Sequence, residues 1–147
     1  MRSYQSRVLP WVAITLLLQS HTWGQRREVF RARLTAVPVD TVTARTTTGL
    51  GSLTATLEGG TLTFHGTFDS MNSRATAAHV HRAPKGLRGP NIFELTITKA
   101  VSGNITGTVK LSAAQIADLE REWYYVQIHT ELNTAGQLRG WLLKTGE

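Results

Sequence analysis

Of the chain's five histidines, four lie beyond the first 24 residues and offer the chemistry open to it: His65, His79, His81 and His129. Imidazole nitrogen suits Cu(II) and Zn(II). In His79-Val80-His81 two imidazoles stand two residues apart, which on an extended strand puts both on one face. With Val80 turned inward, the two rings are close enough to close on one ion, though two ligands alone do not select a metal. Further on, Val126 and Ile128 are the apolar members of an alternation that sends Tyr125, Gln127 and His129 outward. Leu62, Phe64, Gly66 and Phe68 do the same for His65, so all four rings avoid the core. Rings on neighbouring strands would converge into a nitrogen-only metal site. The alternative is that they hydrogen-bond to loops, with His79 and His129 fixing backbone carbonyls and nothing bound.

A second constellation is cationic. Arg82, Lys85 and Arg88 lie on the Gly/Pro-rich loop Arg82-Ala83-Pro84-Lys85-Gly86-Leu87-Arg88-Gly89-Pro90, which can face an anionic group or simply remain solvated. Arg139 follows a turn that Glu131 precedes, so a cross-strand ion pair bracing that hairpin is expected. No Ser-His-Asp spacing, paired carboxylates in a plausible cleft or phosphate-cradling glycine loop occurs, and catalysis has no named nucleophile.

The elements that must position these residues read as strands. Phe30, Ala32, Leu34 and Ala36 alternate with Arg31 and Arg33, and Leu53, Ala55 and Leu57 with Ser52, Thr54 and Thr56. Glu58-Gly59-Gly60 turns the chain into the Leu62–Phe68 strand as a hairpin. Strands follow over 77–81, 93–98 and 105–111, and a final pair over 123–130 and 137–144, eight in all, each with one wet face expected. One helix interrupts them: Ser112 with Gln115 three residues on is a capping box, placing a helix over 113–122. The pattern predicts an all-β protein, an antiparallel immunoglobulin-like, Greek-key β-sandwich.

The chain has 147 residues, one domain's length, and no cysteine, so core packing must stabilise it. Its N-terminus reads as an export signal: Arg2 and Arg7 precede the apolar run Val8–Leu18, and Thr22 and Gly24 suit cleavage after Gly24. Residues 1–24 are then signal peptide and 25–147 the mature domain, secreted or periplasmic, with no transmembrane segment left. Removing the two leader arginines takes the formal charge from +6 to +4. The basic residues are scattered without a basic helix or RNA-binding motif, which argues against nucleic acid.

The run Ala77-Ala78-His79-Val80-His81, the turn from Gly86 to Pro90 before Ile92-Phe93-Glu94-Leu95, Tyr125-Val126-Gln127-Ile128-His129-Thr130 and Leu138-Arg139-Gly140 together resemble the CHRD domain, first described in chordin. The resemblance spans roughly Val29 to Leu143. It implies an exported immunoglobulin-like module without established enzymatic activity, expected to bind a protein or glycan partner, with copper or zinc binding as the alternative. The family's histidine motifs fall on His79, His81 and His129, leaving His65 the weaker candidate. The family's usual Asn-Pro-x-Gly-Glu near the last turn is altered to Thr134 for the proline and Gln137 for the acid. A paired His-x-His on a sandwich strand also resembles copper-zinc superoxide dismutase in fold alone, since no bridging histidine, zinc-ligand aspartates or disulfide can be matched.

Overall fold

The computed structural model describes residues 27–37, 41 and 44–146. The expected signal peptide over 1–24 therefore lies outside the described residues. Nine β-strands and one helix follow in chain order: β1 (Glu28–Ala36), β2 (Leu50–Glu58), β3 (Thr61–Asp69), β4 (Ala75–Arg82), β5 (Asn91–Ile97), β6 (Gly103–Lys110), α1 (Ala113–Glu120), β7 (Tyr124–Thr130), β8 (Leu138–Trp141) and β9 (Leu143–Lys144). The all-β, antiparallel reading holds. The expected last strand divides at Leu142, and both pieces pair with β1.

The sheet corrects the two-sheet sandwich. Strands order as β2-β3-β6-β5-β4-β7-β8-β1, and β1 also pairs with β2 from Glu28↔Leu57 to Thr35↔Leu50, closing eight strands into one barrel. Closure leaves these eight strands without a free edge. Eight strands enclose an interior that side chains alone can fill. Here they do: Phe30, Leu34, Leu62, Phe64, Ile105, Leu119, Ile128, Leu138 and Leu142 are fully buried in one cluster. Each contributes about 1.5–3 kcal/mol relative to exposure, the stabilisation a cysteine-free chain needs.

Local signals act as expected where the physics is local. Gly59 and Gly60 take φ of 56° and 79° between Glu58 and Thr61, the two positive angles of a two-residue hairpin turn. Ser112 caps α1, accepting from Gln115 N at 3.3 Å while Gln115 Oε1 accepts from Ser112 N at 2.8 Å. The helix stops at Glu120, short of the expected 122, because Glu122 turns to a φ of 58° and its N–H goes to the Leu119 carbonyl. At Gly66 a Cβ would stand 2.6 Å from the Ser52 carbonyl oxygen; the strands approach this closely only because glycine sits there.

Among the described residues, no helix is long and apolar enough to cross a membrane.

Candidate metal centre

The site is built on the pairing of β4 with β7. Ala78↔Ile128 and Val80↔Val126 fill the core face, and the outer face then receives His79↔Gln127, His81↔Tyr125 and Ala77↔His129. Val80, Val126 and Ile128 are fully buried, as the alternation demands. His129 thus sits diagonally from His79, and the rings form a near-triangle: centroids 5.0 Å apart for His79 and His129, 6.0 Å for His79 and His81, 6.1 Å for His81 and His129. One nitrogen from each lies within 4.8 Å of the other two. Nitrogens sharing a tetrahedral ion at about 2.0–2.1 Å stand about 3.3 Å apart, so closure requires ring shifts of about 1 Å.

Two loops hold the rings. Nδ1 of His81 donates to the Gly89 carbonyl at 2.9 Å, and Nδ1 of His129 to the Thr134 carbonyl at 2.8 Å. A carbonyl only accepts, so each Nδ1 keeps its proton and each Nε2 keeps a lone pair, the tautomer that binds metal. Both Nε2 atoms are buried and have no hydrogen-bond partner. The carbonyl contacts expected of His79 and His129 are therefore made by His81 and His129. His79, midway along β4, lies at no loop and faces the other two rings.

Electrostatics favours neutral rings. Burial holds His79 below the ordinary histidine value, His129 pushes the same way, and Glu94 opposes. Burial also lowers His81; the Gly89 bond opposes, while His129, His79 and Arg139 add to the lowering.

The expectation of one wet face fails on β7, where Tyr124 through Ile128 are all buried. The loop over 83–90 and the loop over 131–137 cover its outer side. Gly89 N donates to Tyr125 Oη at 3.1 Å, and Gln127 Nε2 donates to the Ala135 carbonyl at 2.8 Å. Tyr125 stacks on His81 with centroids 4.8 Å apart and planes 4° apart, and Trp141 lies 5.0 Å beyond it.

Arg139 corrects a further expectation. It does not brace Glu131; opposite Gln127 in register, it donates Nε and Nη2 to Gln127 Oε1 at 2.8 and 2.6 Å and lies over the rings of Tyr125 and Trp141. The outward phase of Tyr125 and Gln127 was legible, but their supporting role was not. A signal was there: large residues in both phases of one strand mark a strand covered on both sides.

The cationic loop is spoken for in two of its three positions. Arg82 pairs with Asp118 through Nε at 2.6 Å and Nη2 at 3.0 Å, and Lys85 with Glu122. Arg88 is exposed. His65 is not brought to the other three. It is exposed on β3 between Thr54 and Thr106, beside shallow surface grooves lined by Ser52, Thr54, Thr67 and Asn104 on one side and Thr56, Thr61 and Thr63 on the other. Gln137, where the resemblance expects an acid, is fully buried, donating to the Thr48 carbonyl at 2.5 Å and to Asn72 Oδ1 at 2.7 Å. An ionised carboxylate could make neither bond.

Fold and site define a closed antiparallel β-barrel domain with a three-histidine cluster beneath two loops. The chain belongs to the CHRD domain family, whose model matches residues 30–142. No curated protein and no solved structure matches it.

Proposed function

We propose that this CHRD domain is a metal-binding module that holds one Cu(II) or Zn(II) ion through Nε2 of His81, Nε2 of His129 and a ring nitrogen of His79. The observation behind this reading is the pair of buried, unpartnered Nε2 atoms within one three-nitrogen cluster. A buried acceptor left without a partner costs about 1–3 kcal/mol, and two such atoms side by side are a cost that a shared ion removes. Three imidazoles without thiolate or carboxylate suit Cu(II) or Zn(II), with Cu(II) the tighter by the general order of affinities.

The wider setting is also our reading. The leader over 1–24 supports export, so the ion would be met in a periplasmic or extracellular space. The β4-β5-β6 meander returning beside β3 supports a Greek-key description of the barrel. The loops that hold His81 and His129 also expose Leu87 and Leu132, 59 % and 66 % accessible. These apolar tips favour a protein over a glycan as any macromolecular partner of the module.

The test is metal analysis of protein purified without a histidine tag. One equivalent of Cu or Zn is expected after loading and dialysis, lost in His79→Ala, His81→Ala and His129→Ala and kept in His65→Ala. A natural chain that retains no stoichiometric Cu or Zn ends the proposal.

A further inference from the structure

A divalent ion on three neutral imidazoles places two positive charges on a half-buried face that already holds another. Arg139 is 9 % exposed, and its hydrogen-bond partner, Gln127, is uncharged. Its guanidinium stands 4.9 Å from the centre of the Tyr125 ring, whose stack with His81 joins it to the cluster. No carboxylate of the described residues lies within 4.0 Å of Arg139. Burial lowers the Arg139 pKa; Tyr125 opposes, and the charge of Arg88 adds to the lowering. The acid facing the cluster is Glu94, opposite His79 in register and exposed. It offsets one charge and leaves the loaded face positive.

Three protein nitrogens also leave a position open on a four-coordinate ion. An uncompensated positive site with an open position attracts an anion. We propose that the metal-loaded domain is a receptor for a small monovalent anion, bound at the ion and favoured by Arg139 and Arg88. This rests on the metal-binding reading above.

The experiment uses the full chain loaded with one equivalent of Cu(II), titrated with sodium azide at constant ionic strength. The readouts are the azide-to-copper charge-transfer band and the copper electron paramagnetic resonance spectrum. Saturable binding of one azide is expected. Arg139→Gln should weaken it about tenfold, the order expected for loss of one charge near a partly buried site, and Arg139→Lys should recover most of the loss. Arg88→Gln, at an exposed position, should weaken it about twofold.

If no copper binds, the metal reading fails and this inference with it. If copper binds but azide changes neither spectrum, the inference alone is overturned. A band seen in Glu94→Gln and not in the natural chain would make Glu94 the fourth ligand and also overturn it. Equal azide affinity in all the arginine variants would remove the proposed role of the two arginines.

Discussion

The carbonyl of Gly89 accepts from Nδ1 of His81 at 2.9 Å, so the loop over 83–90 sets both the tautomer and the tilt of a metal-facing ring. The same residue donates its N–H to Tyr125, which stacks on that ring. A Cβ at this position would collide with the Arg82 carbonyl. Gly89→Ala must therefore displace the loop, and the expected result is a 10- to 100-fold loss of metal affinity, as for other residues that orient a ligand. Competition against a chelator of known affinity measures it, and unchanged affinity would show that the loop does not position His81.

Metal should also stabilise the fold. Ligand bound to the native state alone adds about 2.7 kcal/mol at a free concentration of 100 Kd. Thermal unfolding should shift upward on adding Cu(II) or Zn(II) and return to its starting point after chelation. His129→Ala should unfold at the same temperature with and without metal.

Tyr124 presents the opposite case, a buried hydroxyl that nothing uses. Its oxygen has no hydrogen-bond partner, and burial, aided by Asp118, raises its pKa to about 12. Tyr124→Phe should stabilise the domain by about 1 kcal/mol at neutral pH, since a buried group without a partner is removed. A raised pKa in the folded state means the fold favours the protonated phenol. That contribution is complete below the ordinary tyrosine value of 10.0 and is lost as pH rises toward 12. Urea unfolding from pH 7 to 12 should find the variant's advantage widening above pH 10.

At the acid end the group to watch is Asp118. The hydrogen bond from Arg82 holds its carboxyl below the ordinary aspartate value, with burial opposing. A lowered pKa in the folded state gives stability that is present above 3.8 and lost as pH falls through the lowered value. Asp118→Asn should be less stable than the natural chain at pH 7, and the difference should shrink toward pH 2. A constant difference across that range would mean the ionised form plays no part.

Gln127 supplies the acceptor for both Arg139 donors. Gln127→Leu leaves a buried guanidinium without its partner and should cost about 2 kcal/mol in urea unfolding. Gln127→Glu gives up the Nε2 donor to the Ala135 carbonyl, as Gln127→Leu also does, but keeps the acceptor for Arg139 and adds a countercharge, so it should cost less. Equal losses in the two variants would count against the hydrogen bond as the cause.

Much of this protein follows from local rules that a sequence states directly. Alternation along a strand has a period of two, so Leu62 and Phe64 had to face opposite to His65, and Val80 opposite to His79 and His81. The capping box at Ser112 and the glycine turn at 59–60 need only neighbouring residues, and both formed where expected. Family membership was legible for the same reason: the histidine motifs recur at their own spacing.

Tertiary structure alone decided the rest, because strand neighbours are chosen by the summed packing of the barrel rather than by any local pattern. Nothing near His79 states that its partner strand lies close to fifty residues downstream; the β4–β7 register brings in His129. Closure through β1 and β2 turned the expected sandwich into a barrel. Two loops buried the outer side of β7, and Arg139 met Gln127 rather than Glu131 because β7 and β8 pair in that register. Residue types thus determined which way each histidine looks, and only the closed sheet determined which of them look at one another.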